Sequence, residues 1–170
     1  MKILVIASDL RIPPLRYGGA ERIVHNLSSA LDENLFEVNL LAGKGSRKYG
    51  GRTLNYKKYR FGTSFFGRII NWAEFQAQTT RLSKDIDIIH SFVFWPEIHF
   101  FLNKLNKPIV FRQGNPPSKN DFKRIIKSNP YQGYLQCISK NQLSKIDIDD
   151  STKTFVTYNC VDTKKFKNIQ

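Results

Sequence analysis

Short apolar runs that alternate with helix-period stripes are the feature that most limits the fold of this chain. The run ILVIA near the N-terminus is rich in β-branched residues, which is typical of a strand buried on both faces of a parallel sheet. From Ala20 onward, apolar residues recur every three or four positions, which indicates a helix lying on that sheet. The alternation continues along the chain and predicts an α/β fold, a Rossmann-like, doubly wound, mainly parallel sheet with right-handed crossovers and helices on both faces.

Five further strands are predicted from runs such as FEVNLLA and DIDIIHSF, at residues 36–42, 85–92, 107–113, 133–139 and 152–158. Predicted helices lie between them, at residues 20–31, 61–82, 96–105, 119–128 and 140–146. The segment GKGSRKYGG, residues 43–51, is interpreted as a loop. Within the helix at 61–82, the expected helical stripe consists of Phe66, Ile69, Ile70, Ala73 and Ala77.

The charge of the chain is concentrated in one region. The sequence has 27 Lys and Arg against 14 Asp and Glu, a net charge of +13. Residues 43–84 contain ten of these basic residues and a single acid, Glu74, so a local basic face is expected. No apolar run approaches the ~20 residues of a membrane-spanning helix. With only two cysteines and no signal-peptide pattern, the sequence predicts a cytoplasmic protein.

A glycine pair, Gly18 and Gly19, lies between the first strand and the first helix. Glycines at this point let the backbone approach a ligand and present N–H groups at the positive end of the helix dipole, which favours an anion such as phosphate. The spacing matches neither the dinucleotide fingerprint G-x-G-x-x-G nor the phosphate loop G-K-[ST]. A simple tight turn is the alternative, and Glu21 in the first helical turn is interpreted as an acid favoured by the dipole.

Several segments together resemble the family 4 (group 1) glycosyltransferases, retaining enzymes of the GT-B fold. YGGAERIVHNLSSAL resembles the family's first loop and helix, DIDIIHSF its strand that ends in a histidine, and KPIVFRQGNP the next strand with its loop. CISKNQ and TYNCVDTKKF are similar to later family segments, the second with Cys160 in place of a glycine. The resemblance implies that residues 1–162 are a GT-B N-terminal, acceptor-side domain and that 163–170 begin an interdomain linker or tail.

The resemblance implies roles for individual residues. Gly18, Gly19 and Arg16 would bind the donor phosphates, although Arg16 could equally be solvated. His90 and Gln113 would take the catalytic positions, with a buried structural role as the alternative for His90. Gln113 stands where the family commonly has a histidine and cannot titrate near neutral pH. Acceptor-binding positions would be Tyr17, Phe92, Trp95, Arg112 and Asn115, of which the aromatic residues could instead belong to the core.

The function that this resemblance implies is transfer of a sugar from a nucleotide-sugar donor to a glycan or lipid-linked acceptor in polysaccharide synthesis. It implies no metal and no bound cofactor. Because the donor-binding C-terminal domain is missing from this sequence, the chain alone is predicted to be inactive. The alternative is a stand-alone sugar- or lipid-binding module, or the acceptor subunit of a split enzyme.

The basic region raises the question of two further partners, a membrane surface and nucleic acid. Basic and aromatic residues alternate in residues 56–70, a composition that suits the surface of an anionic membrane. A solvated face over a helix with buried aromatic residues is the alternative. Nucleic acid is not favoured, because the sequence contains no recognised nucleic-acid-binding motif and basicity alone is weak evidence.

Overall fold

The structure, a computed structural model, describes residues 1–16, 18–56, 64–93, 101–102, 104–112, 114, 133–146, 153–161 and 163. Its strands are β1 (Lys2–Ile6), β2 (Glu37–Ala42), β3 (Gly50–Asn55), β4 (Ile88–Ser91), β5 (Ile109–Arg112), β6 (Gly133–Cys137) and β7 (Thr154–Val156). The described helices are α1 (Gly19–Ala30), α2 (Phe65–Ser83) and α3 (Lys140–Ser144), and residues 101 and 102 are also helical. The helix predicted at 119–128 lies outside the described residues, and so does the linker or tail expected at 163–170, apart from residue 163.

All seven strands form one parallel sheet in the order β3-β2-β1-β4-β5-β6-β7. The doubly wound α/β fold predicted from the alternating pattern is therefore confirmed. The chain runs outward from β1 to β3 and then returns through α2 to β4, on the other side of β1. The strand order thus reverses between β1 and β4, where sheets of this kind leave a crevice at the carboxyl ends of their strands.

Two hydrophobic clusters cover opposite faces of the sheet, because successive residues of a strand point to opposite sides. Leu4 and Ile6 of β1 belong to one cluster together with Phe75 of α2, whereas the second contains Val5 of β1 and Val24 of α1. The predicted arrangement of helices on both faces is confirmed for α1 and α2. In the part of the chain that the structure describes, no helix is both long and apolar enough to cross a membrane.

The expected stripe of α2 faces the solvent, not the core. All five of its members (Phe66, Ile69, Ile70, Ala73 and Ala77) are exposed. The buried side of α2 contains Phe75, which stacks on Trp72 with ring centroids 5.4 Å apart, followed by Thr79 and Leu82. Thr79 satisfies its hydroxyl within the helix by donating to the carbonyl oxygen of Phe75 at 2.7 Å, so a polar residue can lie on the buried side. Counting apolar residues selected the wrong face for this reason.

Strand β3 was not predicted, because its sequence GGRTLN has two glycines and only one large apolar residue. Its pairing with β2 is irregular, with a register shift between Val38 and Leu40. Asn39 bridges the irregularity, since its Oδ1 accepts a hydrogen bond from the backbone N–H of Arg52 at 3.0 Å. Gly51 is needed for close approach, because a Cβ there would lie 2.6 Å from the carbonyl oxygen of Val38.

Candidate functional site

The carboxyl ends of β1 and β4 form the centre of the candidate site. Val5 of β1 is the register partner of His90 in β4, and the backbone N–H of Phe92 donates to the carbonyl oxygen of Ile6 at 2.8 Å. The glycine-containing loop leaves β1 at this edge, and Phe92 leaves β4 beside it. Parallel pairing therefore brings the loop that contains Gly18 and Gly19 to the same edge of the sheet as His90 and Phe92.

The loop between β1 and α1 is held in place by the loop after β2. Ile12 is fully buried, its backbone N–H donates to Ser46 Oγ at 2.9 Å, and its carbonyl oxygen accepts from the N–H of Arg47 at 2.7 Å. The peptide bond from Ile12 to Pro13 is cis. Gly43 makes the close contact between the loops possible, because a Cβ there would lie 2.1 Å from the carbonyl oxygen of Asp9.

Gly18 caps the N-terminus of α1. Its φ of −175° is open to any residue, so the backbone angle does not require a glycine and the lack of space for a side chain does. A Cβ at Gly18 would lie 2.8 Å from Glu21 Oε2 and 2.9 Å from Pro14 Cβ. Glu21 is buried in the first turn of the helix, where the dipole favours an acid, and it accepts a hydrogen bond of 2.5 Å from Ser8 Oγ. The position of Glu21 fits the structural role expected for it.

His90 lies in a polar cluster that spans β4, β5 and β6. Its Nε2 is 2.9 Å from Gln136 Oε1, and its ring centroid is 4.5 Å from that of Phe92. Burial lowers the pKa of His90 to about 4, the hydrogen bond to Gln136 opposes this shift, and the charge of Arg112 adds to it. The imidazole is therefore neutral near pH 7, and pairing with an amide oxygen places its proton on Nε2.

Arg112, the last residue of β5, is only 4% exposed. Its Nη2 donates a hydrogen bond to Asn159 Oδ1, and its guanidinium carbon lies 5.1 Å from the centre of the Phe92 ring, a cation–π distance. Burial lowers the pKa of Arg112 and the nearby sulfur of Cys160 opposes that shift, but a guanidinium keeps its charge near neutral pH.

The segment after β7 completes the cluster. Thr157 pairs with β6 through a 2.9 Å bond from its N–H to the carbonyl oxygen of Cys137, and the chain then reaches α1. There Asn26 Nδ2 donates to the carbonyl oxygen of Cys160 at 3.4 Å. This path brings Asn159 and Cys160, both exposed, to Arg112. Cys160, which stands in place of the family's glycine, keeps a negative φ, because Asn106 is the only non-glycine residue with positive φ in the described ranges.

The structure brings together some of the predicted site residues. His90, Phe92 and Arg112 form one cluster, and Gly18 and Gly19 begin α1 at the same edge of the sheet, with Arg16 exposed in the preceding loop. The other predicted residues lie outside the described residues: Tyr17, Trp95, Gln113 and Asn115. Metal binding was not expected, and the described part of the chain contains no group of three or more His, Cys, Asp or Glu side chains that could hold an ion.

Sequence reasoning missed one member of the cluster, Gln136. Gln136 is a buried polar residue inside a strand of otherwise apolar character, which was a usable signal. Asn159 directly follows the last predicted strand, at 152–158, so it was expected at the carboxyl edge of the sheet, but no contact with Arg112 was predicted. Its contact with Arg112 joins residues 47 positions apart and depends on the fold.

The comparisons with known proteins concern the family and the fold of the chain. The family model Glycosyltransferase Family 4 matches residues 17–126, more than half of the chain. The structure of Anabaena HepE in complex with UDP aligns with a TM-score of 0.60 and 14% identity, covering 96% of this chain and 45% of that one. The apo form of the lipopolysaccharide outer core galactosyltransferase WaaB aligns with a TM-score of 0.54 and 19% identity, covering 97% and 47%.

No curated protein matches the sequence significantly. The chain spans slightly less than half the length of each of the two solved structures. At these sequence identities the likeness establishes the fold alone. That fold is the Rossmann-like fold of GT-B glycosyltransferases. Because the family model covers more than half of the chain, this chain belongs to Glycosyltransferase Family 4.

Proposed function

We propose that this chain is the acceptor-side domain of a retaining glycosyltransferase. The enzyme transfers a sugar from a nucleotide-sugar donor to a glycan or lipid-linked acceptor in the synthesis of a polysaccharide or glycoconjugate. The family match over residues 17–126 is the observation that carries this proposal. A UDP-bound structure among the similar folds supports a nucleotide donor. The proposed boundaries of the domain are residues 1 and 162.

The proposed site is the crevice between β1 and β4. Gly18, Gly19 and Arg16 face the donor diphosphate, where N–H dipoles at the start of α1 offset the charge that develops on the leaving phosphate. His90 acts as a neutral hydrogen-bonding group, because its lowered pKa leaves it without the imidazolium form that could act as a general acid near pH 7. Phe92 and Arg112, with Tyr17, Trp95 and Asn115, contact the acceptor, and Gln113 contacts the transferred sugar.

The donor-binding half of the enzyme is proposed to come from outside this chain, either as a continuation of the polypeptide or as a separate subunit. Alone, the 170-residue chain is expected to transfer no sugar, since it spans under half of the similar structures. The test compares the purified chain with the product of the native host, first by mass and then by transfer assays with a panel of UDP-sugars. Transfer by the chain alone would contradict the proposal of a half-enzyme, and a native product of 19.7 kDa would favour the split enzyme or the binding module.

We further propose that the protein acts in the cytoplasm at an anionic membrane surface, and that the exposed face of α2 contacts the lipid. Phe66 and Ile70 on this face are 75% and 65% exposed, and Arg68 lies between them with its guanidinium 5.8 Å from the ring centre of Phe65. The surrounding region, residues 43–84, carries ten basic residues and one acid. Apolar side chains flanked by cations fit an anionic bilayer, to which each nearby Lys or Arg contributes about 1 kcal/mol.

Co-sedimentation with vesicles of phosphatidylglycerol or phosphatidylcholine tests this contact. Binding is expected only to the anionic vesicles and is expected to fall as salt rises. The variant F66S/I70S should bind several-fold less, whereas L35S, which changes a residue 63% exposed outside α2, should bind like the wild type. Equal binding by F66S/I70S and L35S would show that this face of α2 is not the contact.

A further inference from the structure

The guanidinium of Arg112 is a buried charge without a carboxylate partner among the residues that the structure describes. Within those residues the single ion pair joins Lys2 and Glu37, at 3.7 Å on the surface. Arg112, by contrast, is 4% exposed and bonded to the neutral amide of Asn159. Burying a charge costs several kcal/mol unless an opposite charge or a full set of hydrogen bonds compensates it. An arrangement of this kind is expected where a ligand supplies the missing charge.

Among the described residues of the sheet, the groups around Arg112 supply no negative charge. Phe92 offers the face of its ring, and His90 is neutral because burial lowers its pKa to about 4. Gln136, the register partner of Arg112 in the neighbouring strand, has its Oε1 within hydrogen-bonding distance of His90. The cluster as a whole therefore carries one positive charge at the carboxyl ends of the strands, beside the crevice.

The charged group lies close to the surface on the side of the segment after β7. Asn159 and Cys160 are both exposed, although Arg112 beneath them is not. A guanidinium has five N–H donors in a planar fork, and the described residues provide an acceptor for it in Asn159. The remaining donors match the two oxygens of a carboxylate or phosphate, which Arg binds in a bidentate manner.

We propose that Arg112 is an anion-binding residue that receives a carboxylate or phosphate group of the acceptor, with Asn159 and Phe92 positioning its guanidinium. The acceptor class is then an acidic or phosphorylated sugar. This assignment of the anion to the acceptor rests on the proposed transferase function. The anion site itself does not, because it follows from the burial and contacts of Arg112.

Binding of small anions to the 170-residue chain tests the site. The probes are glucuronate, glucose 6-phosphate, neutral glucose and UDP, each titrated while the side-chain N–H signals of arginine are followed by ¹H–¹⁵N NMR. We expect glucuronate or glucose 6-phosphate, but not glucose, to shift the Arg112 signal. We expect R112Q to weaken that binding about tenfold or more, as for loss of a charge-assisted pair. The matched control R81Q removes an exposed arginine on α2 and should change nothing.

The other outcomes of the titrations overturn the proposal. Equal binding of the sugar anions by R112Q and R81Q excludes Arg112 as their site. If R112Q weakens the binding of UDP alone, the anion belongs to the donor. If R112Q fails to fold, R112K replaces it in the titrations, because lysine keeps the positive charge but lacks the planar guanidinium. Wild-type affinity for the sugar anions in R112K would exclude a bidentate site. A native gene product that transfers no sugar would refute the proposed function and leave the anion site standing.

Discussion

The neutral state of the partly buried His90 predicts a specific loss of stability in mild acid. The pKa of His90 is about 4 in the folded protein, and its unperturbed value, taken for the unfolded chain, is 6.5. Between these values the unfolded chain binds more protons, so the free energy of unfolding rises with pH and falls as the solution is acidified. Linkage with these two pKa values gives a loss of about 2 kcal/mol between pH 7 and pH 5, and about 3 kcal/mol once the pH is below 4.

Urea unfolding followed by tryptophan fluorescence at pH 7 and pH 5 measures this loss. Other groups titrate in the same range, and the comparison with His90→Gln removes their contribution, since glutamine can still donate to Gln136 and carries no charge. The wild type should therefore lose about 2 kcal/mol more than H90Q between the two pH values. Equal losses in the two proteins, or a His90 Cε1–H signal that titrates near pH 6.5, would refute the burial argument.

Three further predictions concern the framework of the site. Phe75→Ala should lower the free energy of unfolding by about 3–5 kcal/mol, because Phe75 is fully buried. Phe66 is exposed, so Phe66→Ala should change the free energy of unfolding by less than about 0.5 kcal/mol. Equal effects of the two substitutions would mean that the assigned buried face of α2 is wrong. Gly18→Ala should cost about 1–3 kcal/mol in thermal unfolding, because its Cβ would collide with Glu21 and Pro14; a neutral result would argue against that close contact. Tyr56→Phe removes a buried 2.5 Å hydrogen bond to the carbonyl oxygen of Ala7 and should cost about 1–3 kcal/mol in urea unfolding; no loss would mean that water replaces the hydroxyl.

The candidate site was partly predictable because its residues follow strands. In a parallel sheet the carboxyl ends of all strands meet at one edge, so the ends of predicted strands already grouped Gly18, His90, Phe92 and Arg112. Local patterns offer no basis for pairing His90 with Gln136 or Arg112 with Asn159. Those contacts depend on the strand order and on the path of the chain after β7, which no local pattern encodes.

The two helix faces show where pattern reading succeeds and where it fails. On α1 the apolar stripe and the buried face coincide at Val24. On α2 the stripe through Phe66 and Ile70 is exposed, because Thr79 and other residues with internally satisfied polar groups lie against the sheet instead. The periodicity of apolar residues predicts that a helix has an apolar side, but the packing of the neighbouring elements determines which side of the helix is buried.

By itself the sequence determined the α/β class, the alternation of the elements and the order of the family segments, because these follow from local periodicity and from residues adjacent in the chain. The tertiary structure decided that β3 joins the sheet edge, which face of α2 is buried, and that the Arg112 guanidinium is buried beside a neutral His90. The physical reason is that burial and charge compensation are properties of neighbours in space. The position of Arg112 at the end of a strand follows from the local sequence, but the groups that surround its guanidinium are determined by the packing of several strands.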